Sequence, residues 1–240
     1  MVSAGMTEML RLLHGEPGRL PDGCAAVLGV DHLVVSLAVD GQVTEQLWSS
    51  GHVGSTFEDL QFTLGEGPGT DALRTGRMIL VHDMAEVAAD RWPALLPAVA
   101  HLPVRAVFCL PLVLGGITVG VLTAVRSAAG PMTGRETDDA VALVSGLTLQ
   151  FLGADGVQAD SWVGAPLDGG LHREVVHQAT GMLSVQLGTS LAQALLRLRA
   201  YAYSHDRSII DAAEDIVSRR LRLDEGDPGP DPDPPEETEG

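Results

Sequence analysis

Lysine is absent from this chain of 240 residues, and all fifteen basic residues are arginines, against 32 acids. The formal net charge at pH 7 is therefore −17. A chain this acidic binds polyanions only where basic residues are locally concentrated. The absence of lysine also excludes a Walker-type phosphate loop at the glycine-rich stretch of Gly65, Gly67 and Gly69.

Cysteine is scarce, with Cys24 and Cys109 as its two occurrences. Two cysteines in a chain without a secretion signal predict buried thiols in a reducing compartment, and we expect a cytoplasmic protein. Cys109 lies in an apolar stretch and is predicted to belong to the core. The histidines outside the C-terminal region follow no ligand spacing, so we predict no metal site; those considered are His52, His82 and His101.

A membrane span is not predicted, although residues 106–125 form a run of twenty residues without a charge. Pro111 and the Gly115-Gly116 pair interrupt this run near its middle, and valine, threonine and leucine dominate its second half. Two buried strands joined by a Gly-Gly turn explain the pattern better.

Charge is distributed unevenly along the chain. Residues 171–222 carry seven arginines against five acids, whereas residues 224–240 carry eight acids and no base. A separable, mildly basic module in an acidic chain predicts an output that binds a polyanion. Composition predicts five segments: a helical or flexible segment at 1–19, a domain at 20–152, a Gly/Pro linker at 153–170, a helical domain at 171–223 and a disordered acidic tail at 224–240.

The helical domain shows three apolar patterns of helical spacing with their own start and stop signals. Gly188 ends the first helix, Ser190 and Gln193 form a capping box for the second, and Ser208 with Asp211 begins the third. The predicted apolar stripes are Val176, Ala179, Leu183 and Leu187; Leu191, Leu195, Leu198 and Ala202; and Ile210, Ala213, Val217 and Leu221.

This domain resembles the ANTAR family. The resemblance rests on Ala179-Thr180-Gly181, on LGTSLAQALLRLRAYA at 187–202 and on DRSIIDAAEDIV at 206–217. It implies a three-helix RNA-binding module of bacterial antitermination regulators, acting as a homodimer on structured hairpin loops. Many family members carry lysine where this chain has Thr180. Small residues that the family uses for packing correspond to Gly181, Ala194, Ala202 and Ala213.

Polar side chains beside the apolar stripes are the candidate RNA contacts. Arginine binds phosphate or stacks on a base, tyrosine offers a stacking face, and histidine or threonine reaches base edges in an unpaired loop. The alternative interpretation is that these positions are ordinary solvated helix faces. The predicted RNA-binding residues are Arg173, His177, Thr180, Arg199, Tyr203 and Arg207.

The 20–152 domain has the pattern of an α+β fold. Two strands at 32–39 and 42–48 flank Asp40-Gly41, which is a strong hairpin signal. We predict a helical stretch around 55–61 and a short strand at 78–81. A closing helix is predicted at 133–152, with Thr133 as its cap.

This domain resembles the GAF family. The resemblance rests on FTLGEGPGTDALRTGRMILVHD at 62–83 and FCLPLVLGGITVGVLTAV at 108–125. It implies an antiparallel sheet flanked by helices, serving as a small-molecule or redox sensor whose ligand the sequence does not identify. We interpret the glycines of GEGPGTDAL as turn-formers, with a ligand-pocket border as the alternative. Leu110 follows Cys109 where bilin-bearing domains commonly have histidine, so no bilin cofactor is predicted.

Together these features predict a cytoplasmic, signal-responsive transcription antitermination regulator. Its fold class is an α+β GAF-like domain plus a small all-α three-helix domain, with no catalytic residues, no cofactor and no membrane association. One alternative is a scaffold whose helical domain dimerises without binding RNA. Another is a GAF-fold methionine sulfoxide reductase, which the two cysteines disfavour because that chemistry uses several.

Overall fold

The computed structural model describes residues 1–15, 20–39, 42–151, 170–205 and 207–223. The chain divides into two compact units, Met1–Gly170 and Leu171–Gly240. The predicted linker, apart from Gly170, and the predicted acidic tail lie outside the described residues.

The N-terminal unit is built on a five-stranded antiparallel sheet of order β2-β1-β5-β4-β3. The uncharged run forms the central hairpin, in which Gly115 and Gly116 adopt positive φ angles of 54° and 88°. Both predicted hairpins are therefore confirmed, although the Asp40-Gly41 turn itself lies outside the described residues. The strands are β1 (His32–Val39), β2 (Gln42–Ser49), β3 (Ile79–Val81), β4 (Ala106–Leu114) and β5 (Ile117–Arg126).

Helices cover both faces of this sheet. The predicted helices around 55–61 and 133–152 correspond to α3 and α6, and Thr133 caps α6 in a reciprocal box with Glu136. A 3₁₀ turn, Met84–Glu86, follows β3. The helices are α1 (Ala4–Gly15), α2 (Cys24–Val27), α3 (His52–Leu64), α4 (Pro68–Thr75), α5 (Leu95–Val99) and α6 (Gly134–Phe151).

One face of the sheet carries an apolar core beneath α1, α2 and α6. Strand residues alternate between faces, so Phe108 on β4 and Leu122 on β5 point into this core with Leu143 of α6. Each fully buried side chain of this size contributes about 1.5–3 kcal/mol to folding. Cys24 lies in the same core, whereas Cys109 lies on β4 between inward-facing neighbours and is also buried. The predicted burial of both thiols is confirmed.

The C-terminal unit packs α7 (Gly170–Leu187), α8 (Leu191–Ser204) and α9 (Ile209–Val217) into a bundle. The predicted stripe of α7 is confirmed, since all four of its residues are buried. On α8, Ala194 is buried in place of Leu191, which is 61% exposed. The prediction for Leu191 is wrong because this residue opens the helix directly after its cap, Ser190, where the first turn extends beyond the packed region.

The predicted stripe of α9 is wrong by one residue of phase at Ile210, Val217 and Leu221, whereas Ala213 is buried as predicted. The buried positions are Ile209, Ala212, Ala213 and Ile216. Paired apolar residues, Ile209-Ile210 and Ile216-Val217, allowed either face in the sequence. Packing selects the positions i, i+3, i+4 and i+7, which lie closest together on a helix surface. The small residues Ala194, Ala202 and Ala213 are fully buried, whereas a side chain built at Gly181 meets no atom within 4 Å.

Candidate functional site

A polar cluster lies between the sheet and α3, on the face opposite α1 and α6. Its centre is the carboxylate of Glu58, which is fully buried. Ser36 of β1 and Thr123 of β5 donate hydroxyl hydrogen bonds to it at 3.1 and 3.2 Å, and the Gln61 amide donates at 2.9 Å. These bonds link the two central strands to one helix through a single carboxylate.

Two further residues extend this cluster. Gln46 of β2 is 4% exposed and donates to Ser55 on α3 at 3.1 Å. The Cys109 sulfur lies 3.7 Å from the Thr123 hydroxyl. Burial raises the pKa of the Cys109 thiol, and the nearby Glu58 charge acts in the same direction. Burial likewise raises the pKa of Cys24 to about 12. Both thiols are therefore protonated at neutral pH, which disfavours nucleophilic sulfur chemistry.

The glycine-rich stretch holds the 84–104 segment against this cluster. Glu66 accepts hydrogen bonds from the backbone N–H groups of Ala94 and Leu95 at 2.7 and 2.8 Å. Gly67 has φ of +132°, and a Cβ there meets the Gln61 side-chain oxygen at 2.5 Å. Gly69 donates its N–H to that same oxygen at 2.7 Å. Glycine is thus required at Gly67 by conformation and by close packing.

Asp71, at the end of the same stretch, anchors the segment a second time. Its carboxylate accepts from Arg74 at 2.9 Å, from the Trp92 indole at 3.3 Å and from Arg91 at 3.4 Å. The Arg91 guanidinium also lies 4.4 Å from the centre of the Trp92 ring. Gly65 and Gly67, both at positive φ, form turns as predicted. Glu66 and Asp71 hold the 84–104 segment in place through hydrogen bonds.

In the C-terminal bundle, the predicted helix caps are present. Ser190 and Gln193 form the reciprocal capping box, and the Ser208 hydroxyl accepts from the Ile210 N–H at 3.1 Å. Gly188 adopts a φ of +62° after α7. These caps fix where each helix begins, and they thereby fix which side chains lie on the surface.

Arg199 and Tyr203 lie one turn apart on α8, as predicted. Arg199 is half-buried, and burial lowers the pKa of its guanidinium to about 10, so the group stays cationic at neutral pH. Tyr203 is 60% exposed. The neighbouring Tyr201 stacks on His205 with ring centres 4.0 Å apart, consistent with a packing role. A partly desolvated cation beside an exposed aromatic ring is a combination suited to nucleic acid.

Arg207 lies in the turn before α9, where it donates to Asp215 at 2.6 Å. This hydrogen bond raises the pKa of Arg207, and Arg207 and Arg220 together lower the pKa of Asp215. The guanidinium of Arg207 is therefore oriented by a carboxylate, with part of its donor capacity already used. This partner could not be predicted from helical spacing, because Asp215 lies eight residues further along the chain, within α9.

The polar residues predicted on α7 as RNA contacts do not all lie at the surface. His177 is exposed, whereas Thr180 is 5% exposed and its hydroxyl donates to the Val176 carbonyl oxygen at 2.7 Å. The prediction that Thr180 lies on an exposed face is wrong, because threonine can satisfy its hydroxyl on the preceding helical turn and then pack inward. Arg173 lies on the first turn of α7, and its side chain is outside the described residues.

Two further arginines, Arg219 and Arg222, follow α9 and lie at the surface of the bundle. Arg219 and Arg222 are exposed, and neither makes an ion pair with a described residue, whereas Arg220 donates to Asp215 at 2.8 Å. Arg219 has φ of +61°, a left-handed conformation that ends the helical turn. Because the three arginines lie within four positions of one another, their spacing in the sequence does not indicate that Arg220 is the one paired with Asp215.

Among the described residues, no group of three or more histidine, cysteine, aspartate or glutamate side chains is arranged to hold a metal ion. No described helix is long and apolar enough to cross a membrane.

Comparison with known families matches residues 22–167 to the GAF domain and residues 171–217 to the ANTAR domain. No curated protein matches the chain.

Among solved structures, a GAF domain from a phosphoenolpyruvate-protein phosphotransferase of Coxiella burnetii is 17% identical, covers 65% of this chain and 96% of its own, and gives a TM-score of 0.46. The phycocyanobilin-bound GAF domain of a cyanobacterial phytochrome is 14% identical, covers 65% and 97%, and gives 0.48. These likenesses concern the fold alone. The chain therefore belongs to the GAF family through its N-terminal unit and carries an ANTAR domain in its C-terminal bundle, the architecture of ANTAR-type antitermination regulators.

Proposed function

We propose that this chain is a cytoplasmic transcription antitermination regulator whose ANTAR bundle binds hairpin loops in nascent RNA. The observation that carries this proposal is the Arg199–Tyr203 pair on α8, with a half-buried cation one turn from an exposed aromatic ring. Arginine suits phosphate or a stacked base, and tyrosine suits a splayed base in an unpaired loop. Arg207, which lies in the turn before α9 and is oriented by Asp215, is the third proposed contact.

The proposed mechanism is a shift in RNA folding. An RNA segment that can form either an antiterminator hairpin or a terminator is held in the first form by differential binding. A homodimer presents two bundles and engages two loops at once, and such linkage raises avidity by roughly 10²- to 10⁴-fold when the geometry permits. Exposed His177 on α7 is a weaker candidate contact, and Arg173 is a further one.

The GAF unit is the proposed receiver of the signal, in the form of a small molecule. The buried cluster around Glu58 supports this role, because a polar interior gives hydrogen-bonding groups that an apolar core lacks. A ligand changes the output only if its affinity differs between two states of the protein.

The direct test is titration of a hairpin RNA with the full chain and with Arg199→Gln, Tyr203→Ala and Arg207→Gln, at several salt concentrations. Loss of a base contact lowers the affinity by about 1–3 kcal/mol and depends on loop sequence. Loss of a phosphate contact instead lowers the salt slope by about 0.7–0.9. Arg197→Gln is the matched control, since Arg197 lies on the same helix but about 200° away from Arg199 around its axis.

Circular dichroism checks that each variant folds, especially Arg207→Gln, which also removes one of the two arginines bonded to Asp215. If all three variants bind like the wild type at every salt, the RNA-binding proposal fails. The scaffold hypothesis then becomes the better one, and the exposed apolar side chains Val185, Leu191 and Leu196 become the surface to examine by sedimentation.

A further inference from the structure

A groove runs between α7 and the turn after α9. It encloses about 740 Å³ and is lined on one side by α7 and on the other by the end of α9 and the residues that follow it. Met182 and Leu221 contribute apolar side chains to its lining. Val185 also lines it and is 86% exposed. The basic residues Arg219 and Arg222 line it as well.

The charges of this groove are available to an acidic occupant. Among the described residues, the exposed Arg219 and Arg222 form no ion pair, and the nearby Asp215 carboxylate is already bonded to Arg207 and Arg220. None of the described residues that line the groove is an acid. Two arginines that form no ion pair with a described residue, next to apolar side chains, therefore favour a ligand that is anionic and only partly polar.

Gly181 keeps the groove open. It lines the groove on α7, and a Cβ built there meets no atom within 4 Å. Glycine inside a helix costs about 0.5–1 kcal/mol relative to alanine, and no local packing in the described residues requires it. The absent side chain leaves space for an occupant in the groove.

Leu223, the residue directly before the acidic segment 224–240, is bonded to a residue of this groove. Leu223 is buried on the bundle, and its carbonyl oxygen accepts from Gln186, a groove residue, at 2.6 Å. Residues 224–240 follow directly, with eight acids, five prolines and no base. The acids nearest to Arg222 are Asp224, Glu225 and Asp227.

We propose that residues 224–240 dock in the groove between α7 and the end of α9, with their carboxylates paired to Arg219 and Arg222. A short connection makes the closure entropy small and the effective concentration high, on the order of millimolar. Proline fixes φ and reduces the conformational entropy that docking removes. Because the ion pairs lie at the surface, docking depends on ionic strength.

The test measures proximity in the full chain. A nitroxide is attached at position 232 through Pro232→Cys, and the methyl groups of the seven methionines are labelled with ¹³C. Cys24 and Cys109 are buried, so labelling of the native protein is selective, and mass spectrometry verifies a single label. Docking predicts that the Met182 methyl signal, assigned with Met182→Leu, loses most of its intensity at low salt and regains it on reduction of the nitroxide.

Two kinds of variant separate charge from shape. Arg219→Gln with Arg222→Gln removes both cations, and Gly181→Leu fills the groove without changing charge. Each restores the Met182 intensity, as does 1 M NaCl, where the Debye length is about 3 Å. Arg219→Lys with Arg222→Lys retains the effect, because exposed pairs require charge rather than a bidentate fork. Arg197→Gln is the control outside the groove and also retains it.

A Met182 signal of equal intensity with oxidised and reduced nitroxide at low salt overturns the proposal. Mixing nitroxide-bearing chains with separate ¹³C-labelled chains tests for a second copy. Broadening of Met182 in that mixture, without broadening within one chain, shows that the occupant is another molecule and also overturns the proposal. RNA is absent from these measurements, so their outcome is independent of the proposed RNA binding.

Discussion

The GAF unit and the ANTAR bundle of this protein contain different kinds of interior. Between the sheet and α3, the GAF unit buries one carboxylate, two amides and two hydroxyls around Glu58. Among the described residues of the bundle, the buried side chains are aliphatic except for Thr180, which is satisfied by its own helix. The first interior depends on long-range hydrogen bonds, whereas the second depends on shape and leaves its charges on the surface.

This difference indicates where each unit can respond to its surroundings. A buried hydrogen-bond network is sensitive to any change in one member, because every unsatisfied group in an interior costs free energy. The described residues of the bundle contain no such buried network, so its polar chemistry lies at the surface, where Tyr203, Arg219 and Arg222 are exposed and Arg199 is half-buried. The two units therefore differ in where their polar groups lie: the GAF unit buries several of them, whereas the bundle keeps nearly all of them at its surface.

The largest expected effect comes from removing the centre of the polar cluster. Glu58→Ala leaves the Ser36, Gln61 and Thr123 donors without their buried acceptor, and we expect a loss of about 3 kcal/mol in the free energy of unfolding of the GAF unit. Urea unfolding followed by tryptophan fluorescence measures it. Asp90→Ala, at an exposed position, is the control. If Glu58→Ala loses no more stability than Asp90→Ala, the buried hydrogen bonds around Glu58 do not stabilise the GAF unit as stated.

The second effect is a loss of stability of the GAF unit at alkaline pH. Because burial raises the pKa of Cys24 to about 12, its neutral form is favoured in the fold. The resulting stability is complete below the unfolded pKa, near 8.5, and is lost as pH rises from there toward 12. The slope is at most about 1.4 kcal/mol per pH unit for one group. Between pH 7.5 and 9.5, the free energy of unfolding should decrease less for Cys24→Ala than for the wild type. Equal decreases contradict the conclusion that the fold favours the neutral form of Cys24.

The third effect concerns the acidic residues 224–240 and RNA affinity. Removing them eliminates the eight acids that follow Leu223 in the chain, and we expect tighter RNA binding, by about three- to tenfold at low salt and by less as salt rises. Titration of the full chain and of a chain truncated after Leu223 measures it. A matched chain in which the eight acids are replaced by their amides distinguishes charge from length. Equal RNA affinities of the full and truncated chains at low salt contradict the prediction.

The smallest effect is expected at Thr180. Its side chain is buried and its hydroxyl is bonded within α7, so Thr180→Val should leave RNA affinity unchanged while keeping the bundle folded. His177→Ala, one turn earlier and exposed, should produce a small decrease in affinity. A large loss in Thr180→Val alone means that α7 presents a different face to RNA from the one that the fold indicates.

Much of the fold was accessible from local patterns. The charge-free run with its Gly-Gly break predicted the β4–β5 hairpin, and Ser190 with Gln193 predicted the start of α8. Turn and cap signals are reliable because they depend on backbone conformation within a few residues. The candidate site was less accessible, as Thr180 shows, because helical spacing specifies neighbours on a helix but not which side faces a partner.

The sequence by itself determined the two-part organisation of this protein, the caps that begin α6, α8 and α9, and the uneven charge, because each depends on composition or on contacts within about four residues. Only the tertiary structure decided that α9 buries Ile209 rather than Ile210 and that Asp215 holds Arg207 and Arg220. It also decided that Ser36, Glu58 and Thr123 share one hydrogen-bond network, in which the bonded residues Glu58 and Thr123 lie 65 residues apart in the chain. Such contacts arise when separate elements pack, and no local pattern encodes which of their faces meet.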